Sequence, residues 1–174
     1  MIKNVIFDLG GVILGRDFEK YGVHERAFAF MHNYDSPFPQ YWKDFDRGTI
    51  SQQGVAEAIA AETGFSVSEV FPLITRVGRM FNEFPRSVEL VEQLHGIGYK
   101  LYVLSNMPHE FWELMKDMDL FACFDGIVIS SKEKLIKTDP AFFRLLLDRY
   151  GLDLSVTLFV DEKAYNTDAA ARLG

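Results

Sequence analysis

The sequence predicts an α/β protein with a parallel sheet, helices on both sheet faces and an α-helical insertion after the first strand. Three observations lead there. Four short apolar runs recur along the chain, helical segments fall between the later ones, and about seventy residues after the first run read almost entirely as helix.

The apolar runs are Asn4 to Phe7, Lys100 to Leu104, Gly126 to Ile129 and Thr157 to Val160. Each is short, bounded by polar residues or glycine, and rich in Val, Ile, Phe or Tyr, which favours buried strands over helices. From Arg86 to His95, Val88, Val91 and Leu94 recur at helical spacing and Gly96 supplies a stop. A second helix enters at Pro140, runs to Tyr150 and ends at Gly151. Strand and helix in alternation imply right-handed crossovers within one parallel sheet, with functional groups gathered at the carboxyl ends of its strands. Ser51 to Thr63 and Ser66 to Met80 read as helices of the insertion, with Pro37-Phe38-Pro39 as a loop. The predicted division is therefore a core of 1–14 and 86–174, with 15–85 as an inserted helical cap. Phe28, Phe30, Phe71 and Phe81 are expected to pack inside that insertion.

The formal charge is −7 and the basic residues are scattered, which leaves no general footprint for nucleic acid. Cys123 is the single cysteine, so no internal disulfide forms, and the four histidines lack the spacing of a zinc site. No apolar stretch approaches the roughly 20 residues of a membrane span. The apolar start at Val5-Ile6-Phe7 is broken by Asp8 where an export signal would continue. These features predict a cytoplasmic protein with neither membrane nor nucleic-acid partners, a monomer or weak homodimer.

Polar groups end three of the runs: Asp8 after the first, Ser105-Asn106 after the second and Asp161-Glu162 after the last. In a parallel sheet these ends converge, and three acids brought together call for a compensating cation; oxygen ligands suit magnesium. Taken singly, Asp8 or Asp161 reads as a helix cap or loop starter. Lys137, just before the helix at Pro140, can point back toward the acids and hold a phosphoryl oxygen. Lys132 and Lys134 read as ordinary surface lysines.

With these residues in view, the chain resembles the haloacid dehalogenase-like (HAD) superfamily over nearly its whole length. Val5-Ile6-Phe7-Asp8-Leu9-Gly10-Gly11-Val12-Ile13 is similar to its first motif and Val103-Leu104-Ser105-Asn106 to its second. Lys137-Thr138-Asp139-Pro140 is similar to the third, and Leu158-Phe159-Val160-Asp161-Glu162 with Asn166 to the fourth. Asp44 to Ser51 also resembles a cap segment of the subgroup containing sugar-phosphate phosphatases and the amino-terminal phosphatase domain of soluble epoxide hydrolases.

The resemblance implies a Rossmann-like core in which Asp8 attacks phosphorus and forms an aspartyl-phosphate. It implies a magnesium ion held by Asp8, the Gly10 carbonyl and Glu162. Ser105 would donate to the phosphoryl oxygens, Lys137 would stabilise their charge, and Asp161 and Asn166 would support the lysine and the acidic loop. Gly10 and Asn106 are expected against the substrate, a small phosphorylated metabolite such as a sugar phosphate. Arg16, Tyr21, His24, Trp42 and Arg47 are cap candidates for the same cleft, Arg47 foremost.

Two departures from the family pattern stand out. Phosphatases of this family usually carry a second aspartate two residues after the nucleophile to protonate the leaving oxygen, and this chain has Gly10. Glu162 stands where aspartate is usual. From Gly10 alone, Gly10→Asp is expected to speed turnover of alkyl phosphates. Two other readings stay open: a metal-independent haloacid dehalogenase, against which the paired acids at 161 and 162 speak, and a catalytically weak binding or regulatory protein.

Overall fold

A computed structural model describes residues 1–18, 25–32 and 36–173. After β1 (Asn4–Phe7) and the short strand β2 (Leu14–Arg16) come a 3-10 segment (Glu25–His32) and the helices α1 (Gln40–Arg47), α2 (Gln52–Thr63) and α3 (Val67–Arg79). The chain continues through β3 (Phe81–Glu83), α4 (Pro85–Gly96), β4 (Lys100–Ser105), α5 (His109–Met115), β5 (Gly126–Ile129) and α6 (Ser130–Glu133). It closes with α7 (Pro140–Tyr150), β6 (Thr157–Val160) and α8 (Ala164–Ala171).

The main sheet has the order β5-β4-β1-β6 and is parallel throughout. Side chains alternate across it, as strand geometry requires. Val5, Phe7, Leu101 and Val103 join one core, which Val91 of α4 and Phe111 and Met115 of α5 complete. Ile6, Tyr102, Leu104 and Val128 face the other way, against Phe142, Phe143 and Leu146 of α7 and Ala169 of α8. Helices thus cover both faces of the sheet. Among the described residues β5 and β6 are the sheet's edge strands, and Leu158 of β6 is 48% exposed.

The helices between β2 and β3 form where the periodicity places them, and their ends are set by local chemistry. Ser51 caps α2 by accepting from the Gly54 amide. Ser66 and Glu69 form a reciprocal capping box at α3. Gly48 and Gly64 end α1 and α2 in the left-handed conformation that costs glycine least. Pro37 to Pro39 is loop, as expected. This helical layer packs onto the sheet's own helices, α1 against α6 and α3 against α5. Aromatic edges make the junction: Trp42 and Phe45 of α1 meet Phe111 of α5 at ring distances of 6.1 and 5.7 Å.

Two expectations are corrected. The insertion is not almost wholly helical, because β2 and β3 pair antiparallel, Leu14 opposite Glu83 and Arg16 opposite Phe81. This ribbon spans the expected boundary at residue 14 and ties the two ends of the insertion together. Phe71 is 39% exposed on α3 rather than packed inside. Phe28 is fully buried and Phe81 packs against the core as expected, while also lining a cleft. Among the described residues no helix is long and apolar enough to cross a membrane.

Candidate active site

Strand register brings the polar groups together. Phe7 pairs with both Val103 and Val160, so the next residue on each side of that last pairing is an aspartate, Asp8 and Asp161. The Asp8 amide continues the ladder, donating to the Val160 carbonyl at 2.9 Å. Ser105 ends β4 beside them.

Lys137 is the hub of the cluster. Fully buried, its ammonium lies 2.8 Å from Asp8 Oδ1 and 2.6 Å from Asp161 Oδ2. Burial on its own lowers a lysine pKa, but the Asp8 and Asp161 carboxylates outweigh it and hold the group above its ordinary value. The backbone of Lys137 is fixed as well, its amide donating to Asn106 Oδ1 at 3.0 Å. Ser105 Oγ donates to Asp8 Oδ1 at 2.8 Å. Since serine and lysine both meet Oδ1, Oδ2 of Asp8 takes a hydrogen bond from neither.

Asp161 is more heavily engaged. Its Oδ1 accepts from the Lys163 amide at 2.9 Å, and Asn166 Nδ2 reaches both oxygens at 3.0 and 3.1 Å. Burial raises its pKa against the pull of Lys137. Three donors, Lys137, the Lys163 amide and Asn166, thus share the two oxygens of Asp161.

Glu162 stands on the exposed side, yet one oxygen from each of Asp8, Asp161 and Glu162 falls within 4.8 Å of the others. Partial burial, reinforced by Asp8 and Asp161, pushes its carboxyl up to about 8. The loop after β1 makes room for it. Gly11 adopts φ +82°, and a Cβ there would meet Glu162 Cγ at 2.8 Å.

Asp8, Gly10, Asn106, Lys137, Glu162 and Asn166 all line one cleft. Ser105 lies just beneath, 1% exposed and bonded to Asp8. Arg47 does not line it: its guanidinium pairs with Asp44 one helical turn away. Arg16 of β2, another of the cap candidates, does line it, with its guanidinium 4.9 Å from the Phe81 ring centre. Trp42 lines it too, and Tyr21 and His24 lie outside the described residues.

Asp46 of α1 was not anticipated from the sequence. Only 4% exposed, it lines the same cleft, and burial pushes its carboxyl up to about 8, with Asp8 adding to the rise and Arg16 and Lys137 opposing it. Its spacing of four from Trp42 was the available signal, because residues i and i+4 share a helix face.

A parallel sheet covered by helices, with a buried lysine among carboxylates at its strand ends, places the chain in the α/β class with its polar cluster where such folds carry their sites. The chain belongs to the haloacid dehalogenase-like hydrolase family, whose model matches residues 2–174. It is similar to the sesquiterpene phosphatase astK of Aspergillus oryzae, 27% identical over 177 residues that span 99% of this chain and 86% of that protein. A HAD family enzyme of Bacteroides thetaiotaomicron, solved with magnesium and inorganic phosphate, superposes with TM-score 0.75 at 23% identity, covering 100% of this chain and 91% of that one. The L-2-haloacid dehalogenase of Xanthobacter autotrophicus superposes with TM-score 0.68 at 20% identity, covering 100% and 75%. Both superpositions show a shared fold, and one fold hosting two chemistries leaves the reaction to be argued from the site.

Proposed function

We propose that this hydrolase is a magnesium-dependent phosphomonoesterase that acts on a small phosphorylated metabolite through an aspartyl-phosphate on Asp8. The carrying observation is the meeting of three carboxylates, Asp8, Asp161 and Glu162, within 4.8 Å. Lys137 is paired with two of them, and a divalent cation relieves the remaining repulsion. The donor set fits magnesium, since it is all oxygen and partly open to water. Asp8, the Gly10 carbonyl and Glu162 would hold the ion, leaving Asp161 to its three donors. When bound, the ion supplies charge neutralisation that lets an anionic nucleophile approach a phosphate dianion.

The remaining roles follow from the contacts. Asp8 is the nucleophile, held by Ser105 and Lys137. As the carboxylate turns to phosphorus, the lysine and serine donors are placed to pass to the phosphoryl oxygens, where charge develops. Asp161 and Asn166 keep Lys137 charged and aimed. We read residues 15–85 as a cap, supported by α1, which brings Trp42 and Asp46 to the cleft. Phe38, Trp42, Phe81 and Phe111 line it as well and favour an apolar alcohol over a sugar as the ester's other half, in keeping with the sesquiterpene phosphatase relative.

The test is hydrolysis of a phosphate-ester panel, spanning prenyl, aryl and sugar phosphates, with magnesium and with EDTA. Magnesium-dependent release of phosphate is expected, strongest for apolar esters. Full activity on a 2-haloacid in EDTA would establish the dehalogenase reading instead.

A further inference from the structure

We propose that Asp46 is the proton donor to the leaving oxygen, in place of the acid that Gly10 lacks. The inference rests on the phosphatase reading and adds to it the step on which alkyl esters depend.

Arg16 borders the space beside Gly10. A Cβ there would lie 3.2 Å from Arg16 Nη2, so a carboxyl side chain at this position would stand against a guanidinium. Arginine stays protonated at any working pH and gives up no proton. Among the described residues the cleft is lined by three carboxyl residues, Asp8, Asp46 and Glu162. Two have roles as nucleophile and metal ligand, which leaves Asp46.

Its position is built rather than incidental. Ser130 Oγ donates to the Asp46 carbonyl and accepts from the Met107 amide at 2.8 Å, so the last turn of α1 is fastened to the chain just after Asn106. Asp44 and Arg47 pair with each other across one helical turn, while Asp46 is buried in the cleft. Burial favours the protonated form at neutral pH, as a general acid requires. Tyr165 also lines the cleft, but burial pushes its phenol up to about 12, a far weaker acid.

The step balances as follows. An Asp8 oxygen forms a bond to phosphorus, the bond from phosphorus to the ester oxygen breaks, and that oxygen takes the proton of the Asp46 carboxyl and departs as an alcohol. Asp46, now a carboxylate, is stabilised by Arg16. Water then bonds to phosphorus and gives its proton to Asp46, and the bond from phosphorus to the Asp8 oxygen breaks. Ester and water become alcohol and phosphate, and both acids are restored.

Asp46→Asn keeps the shape of the neutral acid and removes its proton. With magnesium, turnover of an alkyl phosphate should fall about 10²–10⁴-fold. Single-turnover release of nitrophenolate from 4-nitrophenyl phosphate, which needs no proton, should stay within a few-fold of the unmodified protein. Equal fractional losses on both esters, or no loss on either, overturn the proposal, as does a Tyr165→Phe variant that shows the selective loss instead. A second measurement needs no variant: the unmodified protein's rate should depend only weakly on leaving-group pKa, and a steep dependence overturns the proposal while leaving the phosphatase reading intact. An unmodified protein inert toward both esters refutes that reading, and this inference with it.

Discussion

Gly10 and Gly11 are adjacent and carry opposite constraints. Gly10 lies outside the left-handed region, so an aspartate fits its backbone, but the new carboxyl would meet Arg16. Paired with a guanidinium it would ionise and donate poorly. Gly10→Asp is therefore expected to give no gain on alkyl phosphates, reversing the expectation drawn from the sequence; initial rates on alkyl and aryl esters decide it. Gly11, at φ +82° and pressed against Glu162, tolerates no side chain. In Gly11→Ala, strain of about 1–2 kcal/mol and a displaced Glu162 should raise the magnesium concentration needed for half-maximal rate, read by metal titration. At Asp8 the outcome is all or none. Asp8→Asn should fold and lose turnover, because the amide is no nucleophile.

At the scale of elements, the fastening of α1 makes the clearest prediction. Ser130 is fully buried and joins the Asp46 carbonyl to the Met107 amide. Ser130→Ala leaves both without this partner and should cost about 1–3 kcal/mol by denaturant unfolding. Alkyl-phosphate turnover should fall further than aryl, since Asp46 loses its anchor. Ser66→Ala is the contrast: it breaks the capping box of α3, costs about 1 kcal/mol and should leave rates unchanged. The elements legible in the sequence are those whose signal is local. Asn4–Phe7, Gly126–Ile129, Thr157–Val160 and Pro140–Tyr150 form where apolar runs, proline and glycine place them. The ribbon of β2 and β3 was hidden because each strand has three residues, one includes Gly15, and the partners are far apart in sequence. The strand-end acids were legible because parallel sheets gather such ends. Asp46 was not, because nothing local to Asp44-Phe45-Asp46-Arg47 marks which of its charged residues is buried once Trp42 and Phe45 pack on Phe111.

For the whole molecule, the clustered acids tie stability to pH. Asp46 is pushed up to about 8 from an ordinary 3.8, so the folded chain holds a proton that the unfolded chain has released. That contribution is fully present below the ordinary value and is lost as pH rises through about 8. Glu162 acts in the same direction, less strongly for being exposed to water. Carboxylates held below their ordinary values, such as Asp125 beside Lys100, are ionised by pH 5 and do not alter this window. In EDTA the melting temperature should therefore fall between about pH 5 and pH 8. Magnesium should raise it most at the upper end, where protons no longer compete for Glu162. A flat or rising profile in EDTA would contradict the crowding of acids on which the metal assignment depends.

The central claim is a covalent phosphoryl group on Asp8. Mixing the protein with magnesium and a turned-over phosphate ester, quenching in acid within the first turnovers and mapping peptides by mass spectrometry tests it most directly. A phosphoryl adduct on the peptide bearing Asp8 is expected, absent in EDTA and absent in Asp8→Asn. Sustained hydrolysis of the ester with no adduct at Asp8 at any quench time, or an adduct that persists in Asp8→Asn, would contradict the account.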